Sequence, residues 1–210
     1  WRIRTRHVVS TFHSMCVRIL RSDCERLGFA PGFTIYDDSD SKSLVKRIMA
    51  ELNIDPKRYP ESMVRNRISK AKNELVTPEV FEDRYKDPTA QVIGRIYKVL
   101  QERLRALNAF DFDDLLLYTY LLLKNHKEVL EVYQDRFRYL LVDEYQDTNH
   151  AQYALTQLLA AKHRNIMVVG DDDQSIYSWR GADLSNILDF EKDYPEAHVV
   201  KLEENYRSTG

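Results

Sequence analysis

The sequence predicts an α/β protein in which a parallel sheet with flanking helices is interrupted by an all-helical block. Three continuous apolar runs each end in polar residues, which is typical of buried parallel strands. Segments of helical periodicity separate these runs, and strands that alternate with helices indicate a parallel sheet. A fourth, short strand is predicted near the start of the chain. The predicted strands are residues 7–10, 139–142, 166–169 and 198–200, and the separating helices are residues 151–162 and 184–192.

The stretch from about residue 31 to residue 108 is predicted to consist of helices alone. Apolar side chains recur there at helical spacing, and capping side chains precede prolines where helices are expected to begin. A further helix is predicted over residues 11–27. We therefore expect residues 31–108 to form a helical subdomain inserted between residues 1–30 and 109–210, whose strands share one sheet. The helices of the block are predicted at residues 41–52, 61–75, 78–85 and 89–107, and the proline pairs are Asp55-Pro56, Thr77-Pro78 and Asp87-Pro88.

Composition and charge argue against several classes of protein. Lys and Arg number 31 against 33 Asp and Glu, and a net charge of −2 disfavours a basic scaffold that coats nucleic acid by charge alone. The longest apolar run, residues 115–123, is too short to span a bilayer, and no secretory pattern begins the chain. Cys16 and Cys24 are too few for a disulfide framework. Reduced thiols indicate a cytoplasmic protein, and we expect no membrane partner.

Two acidic side chains follow the predicted strand at residues 139–142. Asp143 and Glu144 stand at its carboxyl end, where the functional groups of α/β folds collect. A nucleotide hydrolase needs such a pair, because an aspartate helps to hold Mg²⁺ on the phosphates and a glutamate orients or deprotonates the attacking water. Taken alone, the pattern is also typical of a helix N-terminus that carboxylates stabilise.

A longer polar stretch follows the next predicted strand. Its three successive aspartates, residues 171–173, repel one another unless a cation or a helix N-terminus lies nearby. Gln174 is a neutral group that can sense a phosphate or a water. Tyr177 and Trp179 with the adjacent Arg180 suit base stacking combined with a phosphate contact. An amphipathic turn with its aromatic side chains in the core would show the same pattern.

Arg207 follows the last predicted strand at a distance of a few residues. An arginine in that place can reach across a nucleotide site and stabilise the charge of a transferring phosphoryl group. By itself, however, the position fits an ordinary surface arginine better.

The order of these segments along the whole chain resembles the motor core of superfamily 1 DNA helicases of the UvrD/Rep/PcrA type, and most of all the PcrA-like group. The resemblance implies a RecA-like motor domain, called 1A, that carries the helical insertion, called 1B. It also implies an ATP-dependent 3′-to-5′ helicase that acts on single-stranded and partly duplex DNA, with repair or replication proteins as partners. The matching segments are residues 10–15 (motif Ib), 110–116 (motif Ic), 141–147 (motif II), 168–182 (motif III) and 205–208 (start of motif IV).

The resemblance assigns an ATP-side role to six residues. Asp143 would bind Mg²⁺, and Glu144 would be the catalytic base. The other four are Gln174, which would couple the γ-phosphate to the DNA site, Arg180 on the phosphate side, Tyr206 against the adenine, and Arg207 as an arginine finger.

The resemblance assigns a DNA-side role to five residues. Bases of single-stranded DNA would stack on Tyr177 and Trp179. Thr11 and His13 would touch the DNA backbone, and Phe112 would contact a base.

One part of the family's pattern is absent from the sequence. The phosphate loop G-x-x-x-x-G-K-[ST] cradles phosphates with backbone amides and a lysine, but none of the six glycines here is followed by lysine. The upstream glutamine motif, motif Ia and the second motor domain are absent too. Because the chain starts at Trp1 and stops at Gly210 within a polar turn, we expect it to be part of a longer protein. Alone it should be inactive, and its sheet should show a gap or an exposed neighbour where the missing strand would lie.

Two other functions stay open from the sequence. A non-catalytic binding module would hold single-stranded DNA or a repair partner without hydrolysing ATP. A Mg²⁺-dependent nuclease would use residues 171–173 with Asp143 and Glu144 as a two-metal site. The nuclease would cleave DNA without ATP, which separates it from a helicase.

Overall fold

The structure is a computed structural model that describes residues 8–171 and 190–201. Within these ranges the protein is mostly helical, with two small parallel sheets of two strands each. The helices are α1 (Phe12–Asp23), α2 (Asp38–Glu51), α3 (Glu61–Asn73), α4 (Pro78–Arg84), α5 (Pro88–Ala106), α6 (Phe112–Asn125), α7 (Lys127–Arg136) and α8 (His150–Ala160). The strands are β1 (Thr34–Ile35), β2 (Ala109–Phe110), β3 (Leu140–Val142) and β4 (Ile166–Val168). Shorter helical segments cover Cys24–Leu27, Tyr145–Asp147 and Phe190–Asp193.

The helices predicted from periodicity between residues 11 and 107 are confirmed, with ends that differ by a few residues. The first ends earlier than predicted, at Asp23, and the short helical segment Cys24–Leu27 continues it up to Gly28, whose left-handed φ of 78° closes a helix C-terminus. The side chain of Asp87 caps α5 by accepting a hydrogen bond from the amide of Ala90 at 2.9 Å. Asp55-Pro56 does not begin a helix. Asp55 instead closes a turn, in which its side chain accepts from the amide of Lys57 at 2.9 Å.

Two helices, α6 and α7, are absent from the sequence prediction. The helix α6 contains the apolar run of residues 115–123 and buries side chains around most of its circumference. A helix that is apolar nearly all round shows no clear periodicity, so its pattern could not indicate a helix. It lies at the centre of the fold, where α1, α3 and α8 pack against it.

The prediction of one four-stranded sheet is wrong for the described residues. Only two of the four strands form, and β3 pairs with β4 in parallel, with Leu141 opposite Met167. Residues 8–10 and 198–200 are not strands. Val9 and Val200 are exposed, and none of the described strands pairs with them, whereas a strand needs a hydrogen-bonded neighbour. On the β3–β4 sheet, Leu141 and Met167 are 75% and 57% exposed, which leaves an uncovered apolar face.

The second sheet joins the two ends of the helical block. Thr34 and Ile35 of β1 pair in parallel with Ala109 and Phe110 of β2. This pairing brings together two points of the chain that flank α2 to α5. Strands of two residues carry too little pattern to be predicted from the sequence.

Buried apolar side chains form two clusters on either side of this small sheet. One cluster runs from Leu44 to Ala109 and is supplied by α2 to α5. The other combines α1, α6, α7 and α8 with Phe29, Phe33 and Phe110. Among the described helices, none is long and apolar enough to cross a membrane.

Candidate functional site

Asp143 and Glu144 stand directly after β3, at the carboxyl end of the β3–β4 sheet. Backbone pairing continues past the strands, because the N–H of Val169 donates to the carbonyl of Val142 at 2.9 Å. Glu144 adopts a left-handed conformation, with φ of 51° and ψ of 43°, which turns the chain sharply out of the strand. Both acidic side chains are exposed. The structure therefore places the two predicted acids side by side and open to solvent.

Gln146 lies beneath this pair, although the sequence patterns did not single it out. Its side chain is buried, with 1% exposed. The side-chain Nε2 donates to Oε2 of Glu144 at 2.8 Å, and the side-chain Oε1 accepts from the backbone N–H of Asp171 at 3.1 Å. Asp171 begins the polar stretch after β4, so one buried amide joins the ends of both strands. In the sequence, the signal that could have indicated this role is that Gln146 stands two residues after Glu144.

The acidic end of the sheet suits Mg²⁺, which prefers carboxylate oxygens. Asp143 is exposed, and its Oδ1 accepts a hydrogen bond from the N–H of Glu144 at 2.9 Å. The Oδ1 of Asp147 is buried and accepts no hydrogen bond from the described residues. Burial, followed by the charge of Glu144, raises the pKa of Asp147. Within residues 8–171 and 190–201 no three His, Cys, Asp or Glu side chains cluster as a metal site.

Tyr145 anchors the segment that carries the acids. Its side chain is fully buried, and its ring meets the ring of Phe190 edge to face with centroids 5.8 Å apart. Its N–H donates to the carbonyl of Val169 at 2.9 Å. Burial raises the pKa of the Tyr145 hydroxyl, which finds no hydrogen-bond partner among the described residues. This anchor holds Glu144 at the surface while the next side chain enters the core.

Three of the residues predicted to contact DNA meet at the N-termini of α1 and α6. Thr11 caps α1 by accepting from the N–H of Ser14 at 3.3 Å. The ring of His13 stacks on the ring of Phe112 with centroids 4.0 Å apart and an interplanar angle of 21°. Phe112 keeps 58% of its surface exposed. Burial lowers the pKa of His13, which favours the neutral imidazole.

A buried ion cluster, formed by Lys72, Asp111 and Asp114, lies behind Phe112. The Nζ of Lys72 is 2.5 Å from Oδ2 of Asp111 and 2.8 Å from Oδ1 of Asp114, and the Lys72 side chain is fully buried. Burial alone would lower the pKa of Lys72, but the two carboxylates outweigh it and raise that pKa. Burial and then the charge of Asp111 raise the pKa of Asp114. The two aspartates also form the capping box of α6, a D-x-x-D signal that the sequence carried.

A chain of amides connects this region to the segment after the acids. The Nδ2 of Asn73 donates to Oδ1 of Asp113 at 2.9 Å, and the Oδ1 of Asn73 accepts from Nδ2 of Asn149 at 2.6 Å. Asn149 caps α8 through a reciprocal pair with Gln152, in which the amide of Gln152 donates to Oδ1 of Asn149 at 3.0 Å. The predicted DNA-contact and acidic segments are therefore joined through α3.

Six predicted site residues lie outside the residues that the structure describes. They are Gln174, Tyr177, Trp179, Arg180, Tyr206 and Arg207.

Residues 4–195 match the family model of the UvrD/REP helicase N-terminal domain, which is most of the chain. The chain therefore belongs to the UvrD/REP helicase family.

Curated relatives include the ATP-dependent DNA helicase PcrA of Staphylococcus epidermidis and that of Staphylococcus aureus. Each is 53% identical to this chain over 201 residues, which is 96% of the chain. The same alignment covers 28% of each relative, so the chain spans little more than a quarter of their length.

Proposed function

We propose that the protein containing this chain is an ATP-dependent DNA helicase that moves 3′ to 5′ along single-stranded DNA and unwinds partly duplex DNA. The observation that carries the proposal is the placement of Asp143 and Glu144 at the carboxyl end of β3, beside the end of β4. The activity in the names of the staphylococcal relatives supports the same function. We place the protein in the cytoplasm of a bacterium, where repair or replication proteins are its partners.

In this proposal the acidic strand end serves ATP hydrolysis. Asp143 would hold Mg²⁺, which when bound neutralises charge on the phosphates. Glu144 would accept the proton of the attacking water, and its exposed carboxylate at the strand end is open to such a water. The remaining ATP-side residues would be Gln174, Arg180, Tyr206 and Arg207.

The DNA side of the proposal uses the α1 and α6 N-termini. The exposed face of Phe112 offers a stacking surface for a base, and the neutral ring of His13 supports it from behind. Thr11 lies one residue before α1, and the N-terminus of a helix attracts a phosphate. Tyr177 and Trp179 would extend the stacking surface.

We also propose that residues 31–108 are the 1B subdomain, inserted into a 1A motor domain formed by residues 1–30 and 109–210. Two separate apolar clusters support this division, and the β1–β2 pair supports it because it brings the entry and exit of the block together. The isolated 210-residue chain should not turn over ATP, because its sequence holds no phosphate loop.

The test uses the full-length protein and the variant Glu144→Gln. We expect DNA-stimulated phosphate release to fall by at least about 100-fold, since a general base contributes about 10²–10⁴ to the rate. Affinity for single-stranded DNA should stay within about threefold. The matched control is Glu131→Gln on α7, an exposed glutamate that should leave both measurements unchanged.

A reciprocal variant, Trp179→Ala, separates the two halves of the site. Its affinity for single-stranded DNA should fall by about one to two decades, because stacking contributes about 1–3 kcal/mol per base, while basal hydrolysis persists. If Trp179 is instead a core residue, the variant melts at a much lower temperature and its DNA affinity is unchanged.

DNA cleavage without ATP would favour the nuclease instead of the helicase.

A further inference from the structure

The two ends of the Gln146 side chain are distinguishable by their partners. A backbone N–H can only donate, so the atom that faces the amide of Asp171 at 3.1 Å must be the carbonyl oxygen Oε1. The NH₂ group therefore faces Oε2 of Glu144, at 2.8 Å. With 1% of the residue exposed, water competes for neither bond. The Glu144 carboxylate is held by one side chain that is itself held by the end of β4.

This arrangement adds a side-chain link between two segments that the backbone hydrogen bond from Tyr145 to Val169 already joins. Glu144 sits in a left-handed turn with its side chain in solvent, where a free carboxylate samples several rotamers. The hydrogen bond from Gln146 selects one of them.

We propose that Gln146 is a positioning residue, which holds the Glu144 carboxylate in the orientation for attack on ATP and ties that orientation to Asp171. The inference rests on the proposed function, because it takes Glu144 as the base. It adds a side-chain connection between the proposed base and the end of β4, through the bonds of Gln146 to Glu144 and Asp171.

The isosteric variant Gln146→Glu tests the connection in the full-length protein. It keeps the shape of the side chain and an oxygen for the N–H of Asp171, but it replaces the donor to Glu144 by a second carboxylate oxygen. We expect kcat for DNA-stimulated hydrolysis to fall at least about tenfold, since small misplacements of a catalytic group cost up to about 100-fold. The KM for ATP and the affinity for single-stranded DNA should stay within about threefold.

The chain offers a matched control in Gln134 on α7. Its side chain is also buried, and its Nε2 donates to the carbonyl of Leu158 at 2.8 Å. Gln134→Glu therefore also replaces an amide donor by a carboxylate oxygen that faces another oxygen, the carbonyl of Leu158. This change lies on α7 and not at the acidic strand end. We expect a similar fall in melting temperature from the two variants, but a fall in kcat from Gln146→Glu alone.

Each outcome decides the proposal. An unchanged kcat in folded Gln146→Glu overturns it, and so does an equal fall of kcat in both variants, because Gln146 would then be structural only. If Gln146→Glu does not fold, Gln146→Met, which removes both bonds without adding charge, is measured against Gln134→Met with the same criteria. Should Glu144→Gln retain hydrolysis, the proposed function fails first, and that result is separate from any effect at Gln146.

Discussion

The ring of His13 lies almost parallel to the ring of Phe112, with centroids 4.0 Å apart, although 99 positions separate them in the chain. Each residue belongs to the first turn of its helix, α1 or α6, and each helix has a capping side chain immediately before it. The two caps fix where the helices begin and so bring the rings together. Phe112 keeps 58% of its surface exposed, and we expect this surface to receive a further ring.

The exposed Phe112 should matter for DNA and little for folding. We expect Phe112→Ala to weaken binding of single-stranded DNA by about one to two decades, because it removes a stacking surface. The free energy of unfolding should change by less than about 1 kcal/mol. Its control is Phe110→Ala two residues earlier, where the side chain is fully buried and truncation should cost about 3–5 kcal/mol. Fluorescence titration and thermal melting of both variants check this, and a Phe112→Ala protein with wild-type DNA affinity would contradict it.

The stability of the protein should depend on His13 below pH 6.5. Burial lowers the pKa of His13 in the folded protein from its ordinary value of 6.5, so between the two values the unfolded chain binds a proton that the folded protein does not. Stability that is present above pH 6.5 is therefore lost as the pH falls through this window. In urea titrations at a series of pH values, His13→Asn should lose less stability on acidification than the wild type. Identical pH dependence in both proteins would exclude this contribution.

Lys72 should be among the most sensitive positions of the chain. Removing its charge by Lys72→Met leaves Asp111 and Asp114 buried and uncompensated, so we expect a loss of about 3–5 kcal/mol in the free energy of unfolding. The control lies two residues away on α3, because the Lys70 side chain is 72% exposed and pairs with Glu74 at 3.7 Å. Lys70→Met should change stability by about 0.5 kcal/mol or less. Equal effects in chemical denaturation would mean that the ion cluster is not a stabilising feature.

Asn73 should contribute stability through its position between Asp113 and Asn149. We expect Asn73→Ala to cost about 1–3 kcal/mol, since it leaves polar groups on two other helices without their partner. Asn66, two turns earlier on α3, is exposed, and Asn66→Ala serves as the control with little expected change. Thermal melting of the two variants provides the comparison, and equal melting temperatures would show that the amide chain adds nothing.

Local patterns accounted for most of the helices because helix formation depends on neighbours in the chain. Asp87 before Pro88 and Gly28 after a periodic segment could be interpreted directly, since capping and left-handed glycine act within a few residues. Strands depend on partners elsewhere. The runs at residues 7–10 and 198–200 have strand composition, yet the described parts of both remain unpaired and exposed.

The acids at Asp143 and Glu144 could be predicted for the same local reason, because a strand end and the residues after it are adjacent in the chain. The contacts that hold them could not be predicted. Gln146 meets Asp171 across 25 positions, and in the separate ion cluster behind Phe112 Lys72 meets Asp111 across 39. The spacing of residues in the sequence indicates only how a residue relates to its near neighbours in the same helix or strand. Contacts across longer intervals depend on how the helices and the β3–β4 sheet pack together. Short segments of the sequence therefore predict which residues carry the chemistry of the site. The contacts that hold those residues in place form only when segments far apart in the chain pack together.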